Sequence, residues 1–271
     1  MTTINRTIFA CAASVLMSTA GAFAADLYGG SMKDGGGYVA PQSGRPALFY
    51  LRGDLIASSN DFGSVSELPN YTESNTHIGN SRAWGAGFGM HFSPNVRGDL
   101  TLDWSNTAAI NGDVVDGAAT VQGTRQFGVK HLVGLANVYY DFDMHSRFTP
   151  YLGVGLGFSR NTTTAGSVSI VGCDAAFGGA ASNCAANMDG KSKISAAGAL
   201  MAGFTTKLAD RWSIDAGYRF VYVGDANTDG IQITRIVNNP AWPQSTSGMT
   251  VRDMYEHQLR VGLRMDLGGA R

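Results

Sequence analysis

From Ala25 onward no stretch of the chain approaches the roughly 20 consecutive apolar residues that a membrane-crossing helix needs. That absence excludes an α-helical membrane protein and leaves open a membrane protein built of strands. Charge of one sign is also lacking: 20 Lys and Arg stand against 21 Asp and Glu, which gives no footprint for a nucleic-acid partner. Cysteine is scarce, at three residues in 271. Cys11 lies in an N-terminal apolar run without the small residues that precede a lipidated cysteine, so a lipoprotein is not indicated. Cys173 and Cys184 share one Gly/Ala/Ser/Asn-rich stretch. In an exported protein they read as a local disulfide in preference to a metal site, which needs further Cys or His ligands nearby. No pattern in the chain calls for a cofactor.

Residues 1–24 hold a single charge, Arg6, then an apolar run from Ile8 to Met17 and the small-residue triplet Ala22-Phe23-Ala24. This order is that of a cleaved secretory signal. Residues 25–47, with Gly35-Gly36-Gly37, Pro41 and Pro46, lack periodicity and read as a flexible periplasmic lead-in. The remaining region, 48–271, is organised differently.

Its clearest segment is Tyr255 to Leu267. His257, Leu259, Val261, Leu263, Met265 and Leu267 fall on one side, and Glu256, Gln258, Arg260, Gly262, Arg264 and Asp266 on the other. A two-residue period with charges on one face is a strand. The same alternation recurs over 49–58, 83–92, 97–104, 130–142, 148–159, 193–207 and 212–222. Eight strands of about ten residues suit a bilayer crossed at a tilt. Connections after the second, fourth and sixth segments are short; those after the first, third, fifth and seventh are long and rich in Asn, Ser, Thr and Gly. The expectation is an all-β, eight-stranded antiparallel transmembrane β-barrel, an up-and-down meander with short periplasmic turns and long extracellular loops. A closed ring is required, because an open sheet edge leaves backbone groups unpaired in lipid.

By parity, Arg52, Asp54, Arg97, Asp99, Asp103, Asp141, Asp215, Arg219, Glu256, Arg260, Arg264 and Asp266 point into the lumen. Enclosed charges are costly unless paired, so they are expected to form an ion-pair network. An eight-stranded interior is just wide enough to be filled by side chains. Structural glue is therefore favoured over a gated pore or proton path. Trp84, Trp104, Trp212, Tyr218 and Tyr222 fall on lipid-facing positions and read as interfacial anchors instead of a ligand-stacking set.

Two local patterns are weighed and set aside. Asp225-Ala226-Asn227-Thr228-Asp229-Gly230 matches the start of a calcium loop, but the twelfth position is Ile236 where a bidentate Glu belongs, so a plain Asn/Asp/Gly turn is favoured. His91-Phe92-Ser93 is similar to the His-x-Ser pair of outer-membrane lipid A deacylases, yet Ser93 begins a periplasmic turn and no acidic partner stands nearby.

Several motifs in order resemble the small outer-membrane barrels of alphaproteobacteria, the Omp25/Omp31-like, opacity-type porin family. They are Ala25-Asp26-Leu27, Phe49-Tyr50-Leu51-Arg52-Gly53-Asp54, Pro150-Tyr151-Leu152-Gly153-Val154-Gly155, Gly217-Tyr218-Arg219-Phe220 and His257-Gln258-Leu259-Arg260-Val261-Gly262-Leu263-Arg264. The resemblance implies a surface-exposed, non-enzymatic barrel of the Gram-negative outer membrane that supports envelope integrity. Its expected partners are outer-membrane lipid and lipopolysaccharide, the barrel-assembly machinery, and an extracellular ligand or host surface reached through the loops. A narrow porin and an adhesin are the alternatives. Such chains usually end in an aromatic residue, whereas this one has Leu267 there, followed by four more residues.

Overall fold

The computed structural model describes residues 48–65, 72–115, 121–144, 146–170, 184–233, 245–246 and 248–267. The proposed signal segment, the lead-in and Cys173 lie outside these residues. Cys184 opens a strand, and its side chain is not among those described.

The strands in chain order are β1 Phe49–Asp61, β2 Ser64–Val65, β3 Thr72–Ile78, β4 Ser81–His91, β5 Val96–Ser105, β6 Ala108–Val115 and β7 Val121–Asp141. They are followed by β8 Phe148–Thr163, β9 Gly166–Ile170, β10 Cys184–Gly190, β11 Ser192–Lys207, β12 Trp212–Ile233, β13 Ser245–Thr246 and β14 Thr250–Leu267. Eight of them, β1, β4, β5, β7, β8, β11, β12 and β14, form an antiparallel ring in which chain neighbours are ring neighbours. The ring closes where β14 pairs with β1, from Phe49 opposite Leu267 to Asp61 opposite Tyr255.

Alternation decides which side chains meet lipid. Along β1, Leu51 and Leu55 are exposed while Tyr50, Arg52, Asp54 and Ile56 are buried. Leu100, Val138, Leu152, Val154, Leu156, Leu200, Val261 and Leu263 continue an apolar outer band. Such a band is stable only against acyl chains, which restore the burial that water would deny. Aromatic pairs reinforce it: Phe49 stacks on Phe88 at 5.5 Å and Trp84 on Trp104 at 4.6 Å. The short turn after β4 is held by Ser93 Oγ, which accepts from the Val96 amide at 3.0 Å.

Two expectations need correction. The long connections contain strands: β7 has 21 residues and β12 has 22, about twice what a bilayer crossing requires. Their upper halves pair with β6 and β9, and with β10 and β13, respectively. The buried apolar residues Ile110, Phe127, Val129, Val168, Met188, Met249 and Val251 give this extension a core of its own. Residues 225–230, expected as a turn, also run within β12, because Ala226 pairs with Val251 and Asn227 with Thr250. The pairing shifts register on both sides of Gly224, whose φ of 69° is open to glycine without strain.

Close packing of the inner wall depends on missing side chains along β8. A Cβ on Gly153 would lie 2.5 Å from Tyr139 Cδ1, and one on Gly155 would lie 2.2 Å from Asn137 Oδ1. Gly153→Val should therefore destabilise the barrel by about 1–3 kcal/mol, as overpacking does. Gly53→Ala, whose new methyl would have its nearest neighbour at 3.9 Å, should be tolerated. Urea unfolding of the refolded variants in detergent measures both, and equal stability of the two would refute the packing argument.

Candidate functional site

The lumen is built from inward positions of all eight ring strands, and its charges meet in tiers. In the tier nearest the periplasm, Arg97 Nε donates to both carboxylate oxygens of Asp141, at 3.1 and 3.0 Å. The Arg97 guanidinium also lies 4.2 Å over the Tyr139 ring and 4.9 Å over that of Tyr151. Asp215 accepts from the Thr205 hydroxyl and sits 3.9 Å from Arg97 and 3.7 Å from Arg264. Asp266 stands at the mouth, 3.7 Å from His91, and is only partly buried.

In the middle tier Arg52 forks onto Asp54 at 2.8 and 2.9 Å and reaches Asp99 at 3.0 Å. Asp99 also accepts from Tyr50 at 3.0 Å, Tyr139 at 3.3 Å and Asn137 at 2.8 Å. Arg260 Nη2 gives Asp54 a second cation at 2.9 Å. Carboxylates with several donors are the form in which buried charge is tolerated.

The upper tier runs as a chain. Arg219 donates to Asp103 at 2.6 Å and to Gln258 at 2.5 Å; Gln258 donates to Glu256 at 2.7 Å; Glu256 lies 3.7 Å from His131. His131 Nδ1 is 2.8 Å from Asn161 Oδ1, and the Asn161 amide donates to the backbone oxygens of Val223 and Asp225.

Three of these contacts cross the bore. The ring order places β5 opposite β12 and β7 opposite β14. Arg219–Asp103 and Arg97–Asp215 join the first pair of strands, and His131–Glu256 joins the second. Arg97 and Arg219 have no exposed surface, so water does not reach them from either end.

Eleven of the twelve charges placed inward by parity are buried side chains of these tiers, with Asp266 at the rim. Parity places Tyr50, Thr101, Asn137, Tyr139, Tyr151 and Gln258 on the inward face, but a network of charges alone leaves out these partners together with Thr205, His131 and Asn161. Their signal was available, since each occupies the same face as the charges. Nor is the lumen polar throughout: Val133, Leu135, Ala197, Ala199, Met201 and Val221 also face in and are buried.

Trp84, Trp212, Tyr218 and Tyr222 are exposed on the outer wall, with Trp104 partly covered by Trp84. His91 and Ser93 are not hydrogen-bonded to each other; the serine hydroxyl is engaged by the turn. In the calcium-like stretch Asp225 is taken by Lys193 at 2.9 Å and Asp229 lies 3.7 Å from Lys191. The Lys193 ammonium holds the Asp225 carboxyl below its usual range. Among the described residues no three His, Cys, Asp or Glu side chains gather as a metal site.

The tiers rank substitutions. Arg52→Leu strips cations from Asp54 and Asp99 together, whereas Arg260→Leu leaves Asp54 its contacts with Arg52. The first should cost about 3–5 kcal/mol and the second less, because an uncompensated buried charge dominates the loss. Equilibrium unfolding in lipid bilayers tests this, and the reverse order would contradict the assigned partners.

The model of the outer membrane protein beta-barrel domain family matches residues 9–235. An uncharacterized protein of Brucella abortus (strain 2308) is 28% identical over 259 residues, covering 82% of this chain and 86% of its own. A homologue from Brucella suis biovar 1 is 27% identical with the same coverage. Among solved structures, OprG of Pseudomonas aeruginosa aligns with a TM-score of 0.46 at 14% identity, covering 83% of this chain and 99% of that one. Neisserial surface protein A aligns at 0.42 and 15%, covering 81% and 97%. The closed ring, its apolar outer band and the family match lead to one conclusion: the chain belongs to the outer membrane β-barrel family and resides in the outer membrane.

Proposed function

We propose that this protein is a closed, non-enzymatic barrel that supports envelope integrity and acts through its lipid face and its extracellular strand extension. The observation that carries this reading is the set of ion pairs spanning the bore. A guanidinium on β12 reaching a carboxylate on the opposite strand puts side chains across the middle of the bore, which supports a lumen closed to solutes. Above it, the largely apolar core of the extension, with Phe127, Val129, Met188 and Met249 packed around the buried Arg125, adds a layer in which a cation would meet apolar groups and a fixed like charge.

A non-catalytic role is supported by the separate engagements of His91 and Ser93. Surface interactions fall to the extension, whose paired strands form a platform above the outer leaflet. Lipopolysaccharide is the partner that its position favours, and an extracellular ligand on the platform is the second.

Refolded protein in planar bilayers should give no stable conductance steps. Arg219→Gln with Asp103→Asn, which removes one spanning pair without leaving a lone charge, should remain silent because Arg97–Asp215 and the apolar layer persist. Steps in the native protein that change with those substitutions would overturn the closed-barrel reading in favour of a narrow porin.

A further inference from the structure

Two rows of outward side chains cross the wall at the upper edge of the apolar band. Strand pairing aligns Trp84, Trp104, Leu132, Arg160 and Ile194 in the lower row. In the row above, the Arg82 amide donates to Asn106 Oδ1 and its carbonyl accepts from the Asn106 amide, and Lys130 pairs with Thr162, which pairs with Ser192. Arg82, Lys130 and Arg160 are all exposed. Inward neighbours confirm the facing: Ser81, His131, Ser159 and Asn161 are buried.

Charge is balanced elsewhere on this level but not here. At the β11–β12 rim, Lys193, on the inward phase beside Asn161, has Asp225, and Lys191 has Asp229. Across β4, β5, β7 and β8, no carboxylate among the described residues lies within ion-pair distance of Arg82, Lys130 or Arg160. The side chains paired beside them are the uncharged Asn106, Thr162 and Ser192. Arg160 makes only a long contact of 3.5 Å with Ser192 Oγ. Neighbouring strands are about 4.8 Å apart, so the cations span roughly 10–15 Å of wall. The stacked indoles and exposed Ile194 lie beneath Arg82 and Lys130 and level with Arg160, and exposed Phe158, Leu156 and Leu100 continue the wall in the rows below.

We infer that this sector is a binding site for a phosphorylated glycolipid of the outer leaflet, with phosphates on Arg82, Lys130 and Arg160 and acyl chains along the apolar wall below. Two features coincide that a generic lipid face does not need: unneutralised cations, including two arginines suited to bidentate phosphate contact, and a continuous acyl-facing surface starting one row down. Hydroxyl and amide groups at Asn106, Thr162 and Ser192 supply donors for sugar oxygens between the phosphates. A zwitterionic phospholipid offers one phosphate and carries its own cation, so it satisfies the three side chains less well. The inference rests on the proposed reading that the strand extension faces outward, because that reading sets which leaflet the rows meet.

The test uses nanodiscs of phosphatidylcholine containing a bisphosphorylated lipid A as probe, with lipids retained by the extracted protein counted by native mass spectrometry. Native protein and the charge-conserving R82K/R160K variant should retain the probe. The R82Q/K130Q/R160Q variant should lose it on the order of a hundredfold, as expected for three cations beside a phosphate surface. K191Q/K193Q serves as a control and should retain it. Heat-modifiable electrophoretic mobility verifies that each variant is folded. Unchanged retention by the folded triple variant would overturn the site, as would equal retention of the dephosphorylated glycolipid. Protease accessibility of the extension on intact cells reports separately on the orientation, so failure of that reading is distinguishable from failure of the site.

Discussion

Closure of a small ring in lipid is the constraint on which the rest depends. Lipid offers no partner to a backbone amide, so each strand must pair on both sides, and eight strands then enclose an interior too narrow to hydrate its own side chains. Every inward charge but Asp266 at the rim is thereby removed from water. Five arginines and their acids become tolerable only as a connected set; the tyrosines, Asn137, Thr205 and Gln258 add donors and acceptors to it, and the Arg97 guanidinium, whose Nη atoms have no hydrogen-bond partner among the described residues, lies over the Tyr139 and Tyr151 rings. The polar lumen is thus a consequence of size before it is a device for transport.

The interior changes character with height. Near the periplasm it is ionic; around Val133, Ala197, Ala199 and Val221 it mixes small apolar groups with the His131–Glu256 contact; in the extension it is mostly apolar, with Arg125 buried against Phe127. This gradient is matched outside by the reverse order, from an apolar band to exposed Arg82, Lys130 and Arg160. Inside and outside are therefore solved separately at each level, as period two permits.

Which face a residue takes was legible from parity, since a strand such as β14 alternates without interruption. Which acid meets which base was not: Asp103 and Arg219 are 116 residues apart and meet only because the ring sets β5 opposite β12. Inward Val133 and Leu135 were hidden because both faces of β7 are apolar there, which erases the alternation. The extension was misread for a different reason. Its Thr-, Ser-, Asn- and Gly-rich segments resemble loops, and the apolar residues that organise them, such as Ile110, Val168 and Met188, lie far apart in the chain. The stretch after Gly224 has turn composition, but pairing with β14 outweighs local preference.

The contact between Asp54 and Arg260 joins the first ring strand to the last, 206 residues later. Until that seam zips, Asp54 lacks one of its two cations, and Arg260 and Arg264 have no lumen to enter. A partly assembled sheet consequently holds its charges in a worse state than either the unfolded chain or the finished ring. Assembly is for that reason expected to be strongly cooperative, with the C-terminal strand acting as the latch that completes insertion.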